Sequence, residues 1–479
     1  MNYILKEILE QLIQQMDRPL SFAAVSGIIG GGLFMWNLSR LLSTLKTTWE
    51  VVNISTYYVC HSVVRALQRL LWTYNGVADQ LVMAEYGAVY DTCVHVQSII
   101  HRGRFSIMNH PRPWDFIGVH EGFAHPQTLL NPCITLYCVT PTHAYFLQCP
   151  EDIDVHSSSI SPFMYMAQYY HAEKMYSIPL GHFHRLADEV GDPRVPVIWI
   201  TSTGRCGSTL VGQMLEKLPG TRCLSEPDSL TNISLMQRAS QMSPDELSKA
   251  IRSTVRLLCK EAPGVQRIAF KCRFNCVTEL EPILEHFPQF RHIYVYRNLG
   301  SVMKSYFKFL HRDTAMCVLE WLVNSHLVSL TMPFVRNYLV HFIAGQECQE
   351  KVSALLPKVN FMGYVTAIIC SCIVEFQSLT RKGIIIQTLH YNDLMRSPVE
   401  VTSQLFQLLS LPQDYVHMSL GAMQHDTQHG TILSNIYYRN YTNARQMTGK
   451  DTKDINVMLQ AMGLPDMNEE MRLPNSLMD

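Results

Sequence analysis

Between residues 195 and 412 the chain alternates short, uninterrupted apolar runs with amphipathic stretches, a rhythm that few folds accommodate. The runs are VIWIT, TRCLS, RIAFKC, HIYVYR and GIIIQTL, separated by helical stretches such as TLVGQMLEKL, VTELEPILEHF and SVMKSYFKFL. A run without polar alternates is buried on both faces, and such strands joined through helices make a parallel sheet covered on both sides. The expectation is a three-layer α/β fold, in which ligands bind beyond the carboxyl ends of the strands.

The turn residues Gly191, Asp192 and Pro193 stand ahead of the first run and mark a domain boundary, giving a region 191–479 behind a smaller α+β region over 47–190. The latter mixes a helical VVRALQRLLW with strand-like ITLYCVT and AYFLQCP. His182 with His184, and Asp115 with His120, lack a third partner nearby in sequence and read as structural. Cys272 with Cys276, and Cys370 with Cys372, have no second pair at zinc-finger spacing and read as buried free thiols, so no metal is expected. Lys plus Arg number 39 against 40 Asp plus Glu, a net charge of -1, which offers no overall field for nucleic acid. With 47% hydrophobic and 16% charged residues the chain is no disordered scaffold, and any anion site must be local.

Residues 1–46 begin with an amphipathic helix carrying Ile4, Leu5, Ile8, Leu9, Leu12, Ile13 and Met16. The uncharged stretch 19–39 follows. Its length suits a membrane span, and its four glycines equally suit a soluble hairpin or a buried helix. Lys6 and Arg18 before it balance Arg40 and Lys46 after it, so no orientation follows. Sequons at Asn37, Asn53, Asn232 and Asn440 fit a lumenal chain, and an endomembrane (Golgi) membrane or lumen is favoured over the cytoplasm. The oligomeric state is not legible.

The first run ends in TSTGRCGSTL, with a helix expected from about Ser208. Gly204 and Gly207 between strand and helix let backbone N–H groups converge on an anion, and the helix amino terminus adds its dipole. Arg205 adds charge, and Ser208 and Thr209 add hydroxyls. The Gly-Lys-Ser/Thr of nucleoside triphosphatases is missing, because Ser208 directly follows Gly207. Arg297 closes the run HIYVYR, and Ser305 stands eight residues later on the next helix, spaced to grip a second phosphate. Farther on, Asn392 and Asp393 precede Pro398, which opens another amphipathic helix.

With these motifs in order, the chain resembles the sulfotransferase superfamily over residues 195–412. Arg205, Cys206, Gly207, Ser208 and Thr209 match the family's 5′-phosphosulfate loop, Arg297 and Ser305 its 3′-phosphate pair, and NDLMRSP its late E-D-L-x-x-x-P element. The resemblance implies a P-loop-like fold and 3′-phosphoadenosine 5′-phosphosulfate (PAPS) as cosubstrate, with a sulfuryl group moved to a hydroxyl acceptor, a glycan or a protein tyrosine. It does not extend to residues 1–190.

In-line sulfuryl transfer needs cations at the leaving oxygens and a base for the acceptor. Arg205 and Lys271, at the end of the run RIAFK, are the candidate cations, and Lys271 occupies the position of a lysine that many family members set near the transferred group. SEPDS offers Glu226 and Asp228 as carboxylates, effective as bases if burial tunes a pKa upward. In context Glu226 resembles the catalytic glutamate of tyrosylprotein sulfotransferases and the Glu-Pro of carbohydrate ones. Cytosolic members use a histidine two residues after the lysine, where this chain has Arg273. A nucleotide-binding protein without transferase activity, or a variant nucleoside-triphosphate phosphotransferase, are the rival readings.

Overall fold

The computed structural model describes residues 32–87, 89–310, 312–325, 339–434 and 446–478. The expected helix at 4–16, the greater part of the 19–39 stretch and the sequon at Asn440 lie outside these residues. The architecture is mixed α/β with two five-stranded sheets.

The first sheet is antiparallel. Its strands are β1 (Val94–Arg102), β2 (Phe116–Ala124), β3 (Ile134–Val139), β4 (His143–Gln148) and β5 (Lys174–Pro179), in the order β2-β1-β5-β4-β3. A 43-residue helix, Gly32–Tyr74, runs across it. Tyr57 and Val64 on that helix pack on Ile117, and the Tyr57 hydroxyl donates to the Trp114 carbonyl at 2.9 Å.

The second sheet holds β6 (Val197–Ser202), β7 (Thr221–Ser225), β8 (Arg267–Lys271), β9 (Arg291–Tyr296) and β10 (Gln387–His390), in the order β10-β9-β6-β8-β7 with every pairing parallel. Side chains alternate across a strand, so β6 feeds two apolar layers. Ile198 and Ile200 pack with Leu210, Met214 and Leu405 of the helices Ser208–Glu216 and Pro398–Leu408. Trp199 faces the opposite layer, stacked on Phe270 with centroids 4.6 Å apart, among the helices Asp228–Arg238, Leu280–His286 and Phe361–Arg381. That same layer continues without a break into Phe146, Tyr176 and Ile178 of the antiparallel sheet.

Four of the five apolar runs form strands close to where the pattern sets them, and GIIIQTL is the exception. Its strand begins only at Gln387, because the preceding residues finish the helix Phe361–Arg381 instead. Gly383, at φ +88°, turns the chain, and the N–H of Ile384 returns to the Leu379 carbonyl, the usual way a helix end satisfies its last acceptors. The outer edge of β10 is covered by residues 475–477: the N–H of Thr388 donates to the Asn475 carbonyl, and that of Leu477 to the Thr388 carbonyl. Phe361–Arg381 is also the one helix among the described residues long and apolar enough to cross a membrane, and 78% of its most apolar window is buried inside the fold. None of the fourteen cysteines forms a disulfide, and Cys272, Cys276, Cys370 and Cys372 are buried.

A shared apolar layer couples the two sheets. Truncating a large buried aromatic costs ~3–5 kcal/mol. Phe146→Ala, on the antiparallel sheet, is therefore expected to lower the unfolding midpoint of both sheets together in denaturant titrations. An early transition confined to one sheet would contradict the shared layer.

Candidate active site

The carboxyl ends of β6, β7, β8 and β9 lie on one side of the parallel sheet, and the residues singled out in the sequence follow directly from them. After Ser202 the chain turns through Gly204 (φ +69°), Arg205 (φ +50°) and Gly207 (φ +88°), and a helix begins at Ser208. Both glycines are required. A Cβ at Gly204 would strike the Tyr306 hydroxyl, and one at Gly207 the Tyr391 ring. Arg205 adopts the left-handed conformation without that freedom, and such outliers persist only where the surroundings hold them. Its Nε donates to Ser305 Oγ at 2.9 Å and its guanidinium to Gln428 Oε1 at 2.7 Å. Cys206 Sγ is buried and donates to the Val295 carbonyl at 3.2 Å, tying the loop to β9. Ser208 and Thr209 are buried at the head of the helix, and Ser208 Oγ accepts from Ser202 Oγ at 3.2 Å.

Arg297 lies over the Tyr391 ring, 4.6 Å from its centroid, so the same ring that closes on Gly207 carries this guanidinium. Its Nε is buried and has no hydrogen-bond partner, an unmet donor one ring away from the glycine loop. Ser305 is held by Arg205, and Arg297 does not line the cavity described below. The expected pair therefore flanks the loop from two directions and is not joined.

Glu226 extends the β7–β8 ladder by one bond, its N–H donating to the Lys271 carbonyl at 2.7 Å, and then turns sharply at φ +55°. Its carboxylate accepts from Lys271 Nζ through one oxygen and has Arg273 Nε 3.3 Å from the other. Lys271 Nζ stands 5.1 Å over the Phe163 ring. Arg273 donates to Asp228 Oδ2 and to the Met108 carbonyl, each at 2.6 Å, and its guanidinium stacks 4.4 Å over Tyr165.

The two carboxylates of SEPDS are driven apart. Burial pushes Glu226 upward, yet Lys271 and then Arg273 outweigh it and hold the carboxyl below its usual range. The upward tuning that favours a base is therefore not met at Glu226 in the resting chain, because the sheet delivers two cations to the same carboxylate. Asp228 behaves in the opposite way. Burial, with the Glu226 charge added, pushes it up to about 6 against the pull of Arg273.

Arg205, Glu226, Lys271 and Arg273 form one end of a cavity of about 490 Å³. The other end is apolar, walled by Phe309, Leu310, Leu319, Val365 and Ile369 from three helices. Phe105, Met108 and Phe163 from the antiparallel half close its side. No sequence motif marks 105–108 or 163–165. Arg273 was legible only as the absence of a histidine, and Tyr306 and Gln428 were not singled out.

The remaining candidates are occupied elsewhere. His182 bonds the Ala84 carbonyl at 3.0 Å and His184 the Ser253 hydroxyl at 2.8 Å. Asp115 accepts from Tyr137 at 2.7 Å, while His120 pairs with His95 at 2.8 Å, so the two make no acid/base pair. The sequon residue Asn232 is buried, its amide donating to the Pro111 carbonyl at 2.9 Å, which leaves no room for a glycan. Among the described residues no cluster of three His, Cys, Asp or Glu side chains is arranged to hold a metal.

No protein-family model matches the chain, and no curated protein matches it. Among solved structures, the crystal structure of sulfotransferase STF9 from Mycobacterium avium is similar at 12% identity and a TM-score of 0.28, covering 56% of this chain and 80% of that one. It assigns no residue here a role.

The Asp228 carboxyl gives a pH test. Its pKa is raised from 3.8 to about 6 on folding, so the folded chain binds this proton more tightly than the unfolded one. The stability that this contributes is complete below the unfolded pKa and is lost as pH rises through about 6. Unfolding free energies measured in steps across this interval are expected to decline, and Asp228→Asn is expected to flatten that decline. An equal slope in both chains would contradict the assignment.

Proposed function

We propose that this chain is a sulfotransferase that moves a sulfuryl group from PAPS to the hydroxyl of an acceptor carried on an apolar body. The observation that carries this reading is the arrangement at the strand ends: a left-handed, glycine-flanked Arg205 opening a helix at Ser208, facing Lys271 and Glu226 across one cavity. Backbone N–H groups of residues 204–208 with the Ser208 and Thr209 hydroxyls suit a phosphosulfate at a helix amino terminus. The unmet donor on Arg297, beside the loop, suits the 3′-phosphate.

In the reaction a new bond forms between the acceptor oxygen and sulfur, and the bond from sulfur to the 5′-phosphate oxygen breaks. Lys271 and Arg205 neutralise charge as it grows on the departing phosphate. Glu226 takes the acceptor's proton. In the resting chain Glu226 is restrained by Lys271, and the oxygens of an incoming phosphosulfate compete for that lysine. Releasing it frees one carboxylate oxygen, while Arg273 keeps the other in place.

Of the two acceptor classes the sequence favours, glycan and tyrosine, the apolar wall supports a phenol such as a tyrosine side chain. Sugar hydroxyls set against Phe309, Leu319 and Val365 would lose water to apolar side chains, a desolvation cost an aromatic ring avoids.

Incubation with sulfur-labelled PAPS and matched panels of phenols and sugars is expected to label the phenols. Glu226→Gln is expected to bind 3′-phosphoadenosine 5′-phosphate normally while turnover falls roughly 100- to 10,000-fold. Losing charge-assisted bonds, Arg297→Ala is expected to weaken that nucleotide about tenfold or more in calorimetry. Full turnover in the first variant would remove Glu226 from its role, and magnesium-dependent ATP hydrolysis without labelling would replace the proposal with a phosphotransferase.

A further inference from the structure

A second cavity, of about 580 Å³, lies away from this site, between the helix Gly32–Tyr74 and the antiparallel sheet. On the helix it is lined by His61, Arg65, Arg69 and Trp72, three and four residues apart and therefore on one face. Facing them, the strand register aligns His95 of β1 with Ser177 of β5, and Ser177 with Tyr145 of β4, a polar row across three neighbouring strands. An antiparallel sheet commonly turns a polar face to water. Here that face is roofed by a helix, and a ligand-sized space remains beneath it.

The charges in this space are unbalanced. Among the described residues neither Arg65 nor Arg69 has a carboxylate partner, and Glu85 is the only acid in the lining. Burial lowers the pKa of the Arg65 guanidinium; the Tyr145 hydroxyl opposes this and the neighbouring Arg69 adds to it. The imidazoles do not add charge at neutral pH. Burial lowers His61 and His143, and brings His95 down to about 3. Trp72, Trp114 and Tyr145 supply flat walls, and Arg65 already lies 5.5 Å from the centre of the Trp72 ring.

We propose that this cavity is a binding site for a phosphate or sulfate monoester on a ring-bearing body, with the ester group on Arg65 and Arg69 and the ring against Trp72 and Trp114. Two guanidiniums one helical turn apart match the several oxygens of such an ester. The volume far exceeds what a bare anion needs, and the aromatic walls account for the remainder. The proposal is independent of the sulfuryl-transfer reading, because none of these residues lines the other cavity.

Binding of phenyl phosphate, phenyl sulfate and phenol to the full chain, followed by tryptophan fluorescence and calorimetry, tests it. Both esters, or one of them, are expected to bind at least tenfold more tightly than phenol, since charge-assisted hydrogen bonds separate them. Which ester binds distinguishes phosphate from sulfate chemistry. The double variant R65Q/R69Q is expected to lose that tenfold margin and Arg65→Lys to retain most of it. Equal affinity for phenol and both esters in the wild-type chain overturns the proposal even if the double variant fails to fold. So does full ester affinity in a folded R65Q/R69Q chain.

Discussion

One buried guanidinium holds the candidate site together. Arg273 touches Glu226, bonds Asp228 and the Met108 carbonyl, and stacks on Tyr165, so three separate stretches of chain are fixed by one planar group. Only arginine offers donors in that fixed fork, and its charge survives burial because two carboxylates stand beside it. Removing either carboxylate would leave a buried charge partly uncompensated, which costs far more than the pair contributes in isolation. The geometry of Lys271 and Glu226 is a by-product of this anchor as much as of the sheet.

Around that anchor the backbone is bent where it matters. Arg205 and Glu226 are two of only five non-glycine residues at positive φ among those described, and each lies within three residues of the end of a parallel strand. Strain of that kind persists when packing over-determines it. Tyr306 and Tyr391 against the two loop glycines, and the ladder bond from Glu226 to Lys271, provide the packing.

Much of this was legible in the sequence for a simple reason: parallel strands write themselves as unbroken apolar runs, and the chemistry of an α/β sheet gathers at their ends. Arg205, Lys271, Glu226 and Arg297 could be found by looking there. The late strand was misjudged because GIIIQTL serves two masters, closing a helix before it joins the sheet. The direction of the Glu226 shift was not legible, because spacing reveals that a lysine ends β8 but not that it points at the same carboxylate as Arg273. Met108, Phe163 and Tyr165 left no trace, since their part is played through a carbonyl and ring faces that any hydrophobic segment carries.

That last contact sets what evolution can change. Because Arg273 reaches Met108 through its main-chain oxygen, substitution of the side chain at 108 leaves the bond available, whereas insertion or deletion in the loop between β1 and β2 moves the oxygen away. The side chain at 108 can therefore change while the loop remains fixed in length at this point, and neither sheet can be exchanged for a foreign one without stranding the guanidinium.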